Sequence, residues 1–85
     1  MEQRYRIVEI KPKNGEKRDI HHRMESSICC EILELQMGCP AWIKYKPTEG
    51  DDRLAHTSIV EDVICLDDGS LYIHTKNTVY YLEGV

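Results

Sequence analysis

Three alternating segments separated by very short turns fill the C-terminal third of the chain. They are TSIVEDVICL (57–66), SLYIHT (70–75) and TVYYLE (78–83), joined by Asp67-Asp68-Gly69 and Lys76-Asn77. Connections of two or three residues join antiparallel strands only, because a parallel pair needs a crossover of a dozen or more. Asp-Gly is a strong hairpin turn signal, since Gly accepts the left-handed backbone that the reversal requires. A meander is therefore expected here. Leu71, Ile73 and Thr75 share one face, Tyr80 and Leu82 point inward, and Val79 and Tyr81 point outward. The first segment is less regular: Val60, Ile64 and Leu66 share a face, yet Val63 and Cys65 are apolar on the other. Either both faces are covered or a bulge at Glu61-Asp62 shifts the register.

The rest of the chain follows the same pattern. YRIVEI (5–10) reads as a strand. Asn14-Gly15 predicts a hairpin, with KRDIHHR (17–23) as the returning edge strand. PAWIKYKP (40–47) alternates Ala41, Ile43 and Tyr45 against Trp42, Lys44 and Lys46, as a half-exposed strand does. PTEGDDR (47–53) is a polar loop. SSICCEILELQMG admits two readings: a short helix over 26–37 capped by Ser26 or Ser27 and stopped by Gly38, or a strand with Ile28, Cys30 and Ile32 on one face. The β-rich surroundings favour the strand. The sum is six to seven short strands in 85 residues, a mostly β chain forming one domain over 1–85. A small antiparallel SH3-like barrel or sheet is the expected architecture, because closure removes the exposed edges of short strands.

Charge narrows the partners. Residues 1–50 carry nine Lys/Arg against eight Asp/Glu, while residues 51–85 carry two against seven, giving a net charge of −4. Nucleic acid is disfavoured, since phosphate neutralisation supplies most of that affinity. The first 23 residues, with seven Lys/Arg, are the exception, and a solvated face accounts for them. No apolar run approaches the roughly 20 residues of a membrane helix. MEQRYRIVEIKPK lacks the apolar core of a signal peptide. A cytoplasmic protein is expected. Its thin core makes self-association a natural remedy.

The four cysteines, Cys29, Cys30, Cys39 and Cys65, lack the paired spacing of a zinc site. In a cytosolic chain they are expected to be reduced, as small core hydrophobes, with no metal and no cofactor. No phosphate loop, GxSxG or HExxH pattern is present. A Cys–His nucleophile lacks a third orienting group. His56 and His74 fall on neighbouring strands, with nothing to place them in a cleft. The chain is expected not to be an enzyme.

Two polar sets stand out: His56, Thr57 and Ser58 at the start of the meander, and Thr75, Asn77 and Thr78 at its last turn. Turn chemistry explains each residue type; a polar pocket is the other reading. Together the segments HTSIV and TKNTVY resemble a "TS, any, V … T, any, N, T or S, any, Y" pattern. It occurs in an uncharacterised family of small proteins from Gram-positive gut bacteria, their phages and integrative elements. The resemblance covers roughly the last thirty residues. It implies a mobile-element context, in which small proteins often inhibit host defence systems by binding a defence protein or by sequestering a nucleotide signal.

Trp42, the only tryptophan, sits beside Lys44 and Lys46 on the polar face of its strand, an arrangement suited to anchoring a partner or a base. The leading expectation is a non-catalytic module that contacts a host protein, with the acidic C-terminal half facing a basic groove. The alternative is an oligomeric sponge for a nucleotide signal, with Arg4, Arg6 and Lys44 on phosphate and Trp42 on the base.

Overall fold

Hairpins dominate, and the last strand returns to the first. The computed structural model describes residues 3–85. In chain order the elements are β1 (Arg4–Pro12), α1 (Asp19–Glu25), β2 (Cys29–Glu34), β3 (Pro40–Lys46), β4 (Arg53–Cys65), β5 (Leu71–Thr75) and β6 (Thr78–Gly84). Each strand pairs antiparallel with its neighbour in sequence, and β6 pairs with β1, so six strands close into a barrel. The small antiparallel barrel expected from the sequence is what forms.

The strand periodicity sets the core. Ala41, Ile43 and Tyr45 from β3, Leu71 and Ile73 from β5, and Tyr80 and Leu82 from β6 are buried, with Ile7 and Ile10 from β1 and Val60 from β4. A bulge between Val60 and Asp62 resolves the irregular segment: Glu61 is the extra residue, and the register against β5 shifts there. Beyond it Val63, rather than Ile64 or Leu66, packs on the core, and those two are exposed. The β4–β5 connection is a tight turn in which Leu66 O accepts from Gly69 N–H at 3.1 Å and Leu66 N–H donates to Ser70 O at 2.8 Å. Gly69 adopts φ 88°, where a Cβ is strained.

One expectation fails near the N-terminus. Asn14-Gly15 turns the chain, with Gly15 at φ 82°, but residues 17–23 do not return as a strand. They lead into α1 instead. Their pattern has Ile20, His21 and Met24 on one side, a helical spacing that the expected strand alternation masked. The segment over 26–37 holds strand β2, the reading its β-rich surroundings favoured, and the helix alternative there does not form.

Helix α1 has a structural task. β1 pairs with β2 only through Arg4↔Glu31 and Tyr5↔Cys30, which leaves the rest of that edge of β1 without a strand. α1 packs against β1 and inserts Met24 into the core. The Ile10 N–H donates to Glu25 Oε2 at 2.7 Å, and Lys17 Nζ donates to the same oxygen at 2.7 Å. One carboxylate thus closes a strand edge and anchors the helix. At the helix start, the Arg18 N–H donates to His21 Nδ1 at 3.1 Å, the reach-back role that Glu or Gln usually fills.

Candidate functional site

The outer surface, rather than the barrel interior, gathers the aromatic and charged candidates. Register aligns them in cross-strand rows. Trp42 on β3 lies opposite His56 on β4 and Glu34 on β2; Lys44 lies opposite Leu54 and Glu31; Lys46 lies opposite Cys29; Arg4 on β1 lies opposite Glu31.

The first row makes an apolar surface. Trp42 is 37% exposed, and its ring tilts against the His56 imidazole, with centroids 5.0 Å apart at 39°. Leu33 and Leu54 flank it and are more than half exposed. Together with Glu34 these side chains line a shallow depression of about 400 Å³. Leu33 and Leu54 carry no sequence signal of their own. A register shift between Ile32 and Glu34 lets β2 present both Leu33 and Glu34 toward solvent, and only the pairing reveals that.

The second group is polar. Arg4, Glu31, Lys44, Lys46 and Asp52 surround a cavity of about 130 Å³. Arg4 Nε lies 3.7 Å and Lys44 Nζ 3.8 Å from the Glu31 carboxylate. Arg6 does not join them. It forms an ion pair with Glu83 on β6 at 3.0 Å, so the expected Arg4–Arg6–Lys44 phosphate set is split.

The Thr/Ser/Asn residues converge where the middle of β4 meets the end of β5 and the start of β6, brought together as the paired polar motifs suggested, and they satisfy one another. Ser58 Oγ donates to Thr75 Oγ1 at 2.8 Å and accepts from the Asn77 N–H at 3.0 Å. Thr75 Oγ1 donates to Thr78 O at 2.7 Å and accepts from Thr78 N–H at 3.1 Å. Thr57 Oγ1 accepts from the Ala41 N–H at 3.0 Å and donates to Ser58 O at 2.6 Å. Thr57, Thr75 and Thr78 are buried. The network ties the hairpin turn to β3 and β4, and its hydroxyls are committed to the backbone and to each other.

The two candidate histidines lie apart. His56 tilts against Trp42, whereas His74 lies across from Asp62, six residues further along β4 and so about 20 Å away. Among the described residues no three His, Cys, Asp or Glu side chains come together as a metal site. All four cysteines are free. Cys30 points into the core, and burial, with smaller contributions from Cys29 and Glu31, pushes its thiol up to about 12. A buried thiol held in its protonated form is a poor nucleophile. Limited alkylation at pH 8 should modify exposed Cys65 first and Cys30 only after unfolding, as read by peptide mass mapping.

A second aromatic feature was not anticipated. Tyr72 and Tyr81 stack on the outer face of β5 and β6, with centroids 4.5 Å apart at 13°. The exposed acids Glu61, Asp62, Asp67 and Asp68 lie along the end of β4 and its turn. They sit away from the Trp42 surface. Among the described residues no helix is long and apolar enough to cross a membrane. Comparison with known protein families, curated proteins and solved structures finds no match to this chain.

Proposed function

We propose that this protein is a non-catalytic binding module that engages a protein partner through the Trp42 surface. One observation carries the reading. Leu33, Trp42 and Leu54, from three adjacent strands, are exposed side by side on the barrel wall. Single exposed apolar residues are ordinary, but a contiguous group centred on Trp is the composition of an interface core. The rim gives the partner its chemistry: Lys44 and Lys46 continue the same strand face, which suits an apolar pocket bordered by carboxylates. This moves the contact from the acidic C-terminal residues to the opposite sign of charge. The resemblance of the HTSIV and TKNTVY segments to proteins of phages and integrative elements points to host defence proteins as the partners to test.

The test is capture with two variants. Trp42→Ala removes the anchor, and Tyr81→Ala removes an aromatic from another part of the barrel wall. A partner of this surface is retained by the native chain and by Tyr81→Ala and is lost at least tenfold with Trp42→Ala. A retained protein whose capture ignores Trp42 would sink the proposal. Trp42 is a surface residue of a closed barrel, so far-UV circular dichroism should show Trp42→Ala folded.

A further inference from the structure

The polar cavity between β1, β2 and β3 holds a buried acceptor that no donor among the described residues reaches. The Glu31 side chain is 14% exposed, and its Oε2 is buried with no hydrogen bond among the described residues. The nearest cations, at 3.7 and 3.8 Å, are too far to hydrogen-bond. Buried polar atoms in native proteins nearly always have a partner, so this atom calls for a ligand or water. Around it stand Arg4, Lys44 and Lys46 against Glu31 and Asp52, three cations and two carboxylates, which leaves one positive charge. Lys46 makes no ion pair among the described residues. The cavity asks for two things at once: a hydrogen-bond donor for Glu31 and negative charge for the cations.

A protonated oxyanion supplies both. We propose that this cavity binds inorganic phosphate, with its P–OH donating to Glu31 Oε2 and its charged oxygens accepting from Lys46, Lys44 and Arg4. The volume of about 130 Å³ would hold roughly four water molecules, room enough for a five-atom tetrahedral ion. The buried carboxylate then acts as a selectivity element. Inorganic phosphate keeps a P–OH throughout the neutral range, whereas sulfate has none and a phosphomonoester loses its last one near pH 6. An anion with no proton meets Glu31 as a repulsive charge, and discrimination of that kind comes from the contact that the wrong ligand makes. The site shares Lys44 and Lys46 with the rim of the Trp42 contact, but phosphate binding does not depend on Trp42, so failure of either leaves the other standing.

Phosphorus-31 NMR titration at pH 7.5 tests the assignment with inorganic phosphate and 5′-AMP, and competition against bound phosphate, together with thermal shift, tests sulfate. Phosphate should bind and raise the unfolding temperature, and sulfate and 5′-AMP should bind at least tenfold more weakly. Lys46→Met should weaken phosphate at least tenfold while leaving the fold intact, since Lys46 is exposed. Glu31→Gln offers an amide N–H in place of the carboxylate, so phosphate and sulfate should then bind alike. Absence of phosphate binding, equal binding of sulfate to the native chain, or phosphate binding indifferent to Lys46→Met would each overturn the proposal. The first would leave the cavity to water, and the second would reduce it to a general basic patch.

Discussion

Thr75→Val is expected to lower the unfolding free energy by about 2–3 kcal/mol, because one buried hydroxyl serves three partners. Valine keeps the β-branch and nearly the volume, so strand packing is conserved and only hydrogen bonding is lost. The Thr78 N–H and C=O lose their partner, and Ser58 Oγ loses its acceptor. Thr75 is fully buried, so water cannot substitute without opening the turn. For a domain of this size the loss corresponds to roughly 10–20 °C in Tm. Thr75→Ser retains the hydroxyl and should cost about 1 kcal/mol, the transfer energy of the missing methyl. Urea unfolding followed by far-UV circular dichroism measures both. Equal stability of the Val and Ser variants would mean that the network is ornamental.

Glu25→Ala is the second large effect, at about 2–3 kcal/mol. It strips the Ile10 N–H of its acceptor on a stretch of β1 edge that no strand covers, and it releases Lys17. Lys17→Met, which removes the ion pair but not the backbone bond, should cost less. The same carboxylate makes stability depend on pH. Burial raises the Glu25 pKa, but the Lys17 and Ile10 hydrogen bonds and nearby positive charge outweigh it, leaving it below its ordinary 4.5. The folded state then binds fewer protons than the unfolded state, so this contribution is complete above pH 4.5 and is lost as pH falls through the lower folded value. His21 works in the same direction at higher pH. Burial, with the Arg18 charge second, lowers its pKa below 6.5, and its Nδ1 must stay unprotonated to accept from Arg18. Stability should decline first as pH falls below 6.5 and again below 4.5. His21→Asn should flatten the first step, and Glu25→Gln the second. A profile unchanged by either variant would separate α1 from the acid response.

The barrel wall was legible wherever a strand has one dry and one wet face. Tyr45, Ile73 and Leu82 were placed inward by alternation alone, and Trp42, Lys44 and Tyr81 outward. The irregular segment around Glu61 was legible as a problem: its two solutions could be written down, but the choice belonged to β5, which fixes the register. α1 was misread because Asn14-Gly15 predicts a return strand and because a helix of seven residues has too few positions to show its period. What decided it was the uncovered edge of β1, a property of strands far apart in sequence.

The candidate site divides along the same line. That Trp42, Lys44 and Lys46 face solvent on one strand follows from a period of two, and so does the local nature of the Thr75–Thr78 turn. That Leu33 and Leu54 stand beside Trp42, that Glu31 lies between Arg4 and Lys44, and that Arg6 turns away to Glu83 depends on which residues pair across strands. Alternation along one strand is set by the backbone of that strand and is written in its own residues. Registration between strands is set by turns, bulges and the closure of β6 on β1, and a shift of one residue exchanges every outward neighbour. The sequence by itself therefore determined which side chains reach the surface. Only the tertiary structure decided which of them meet there.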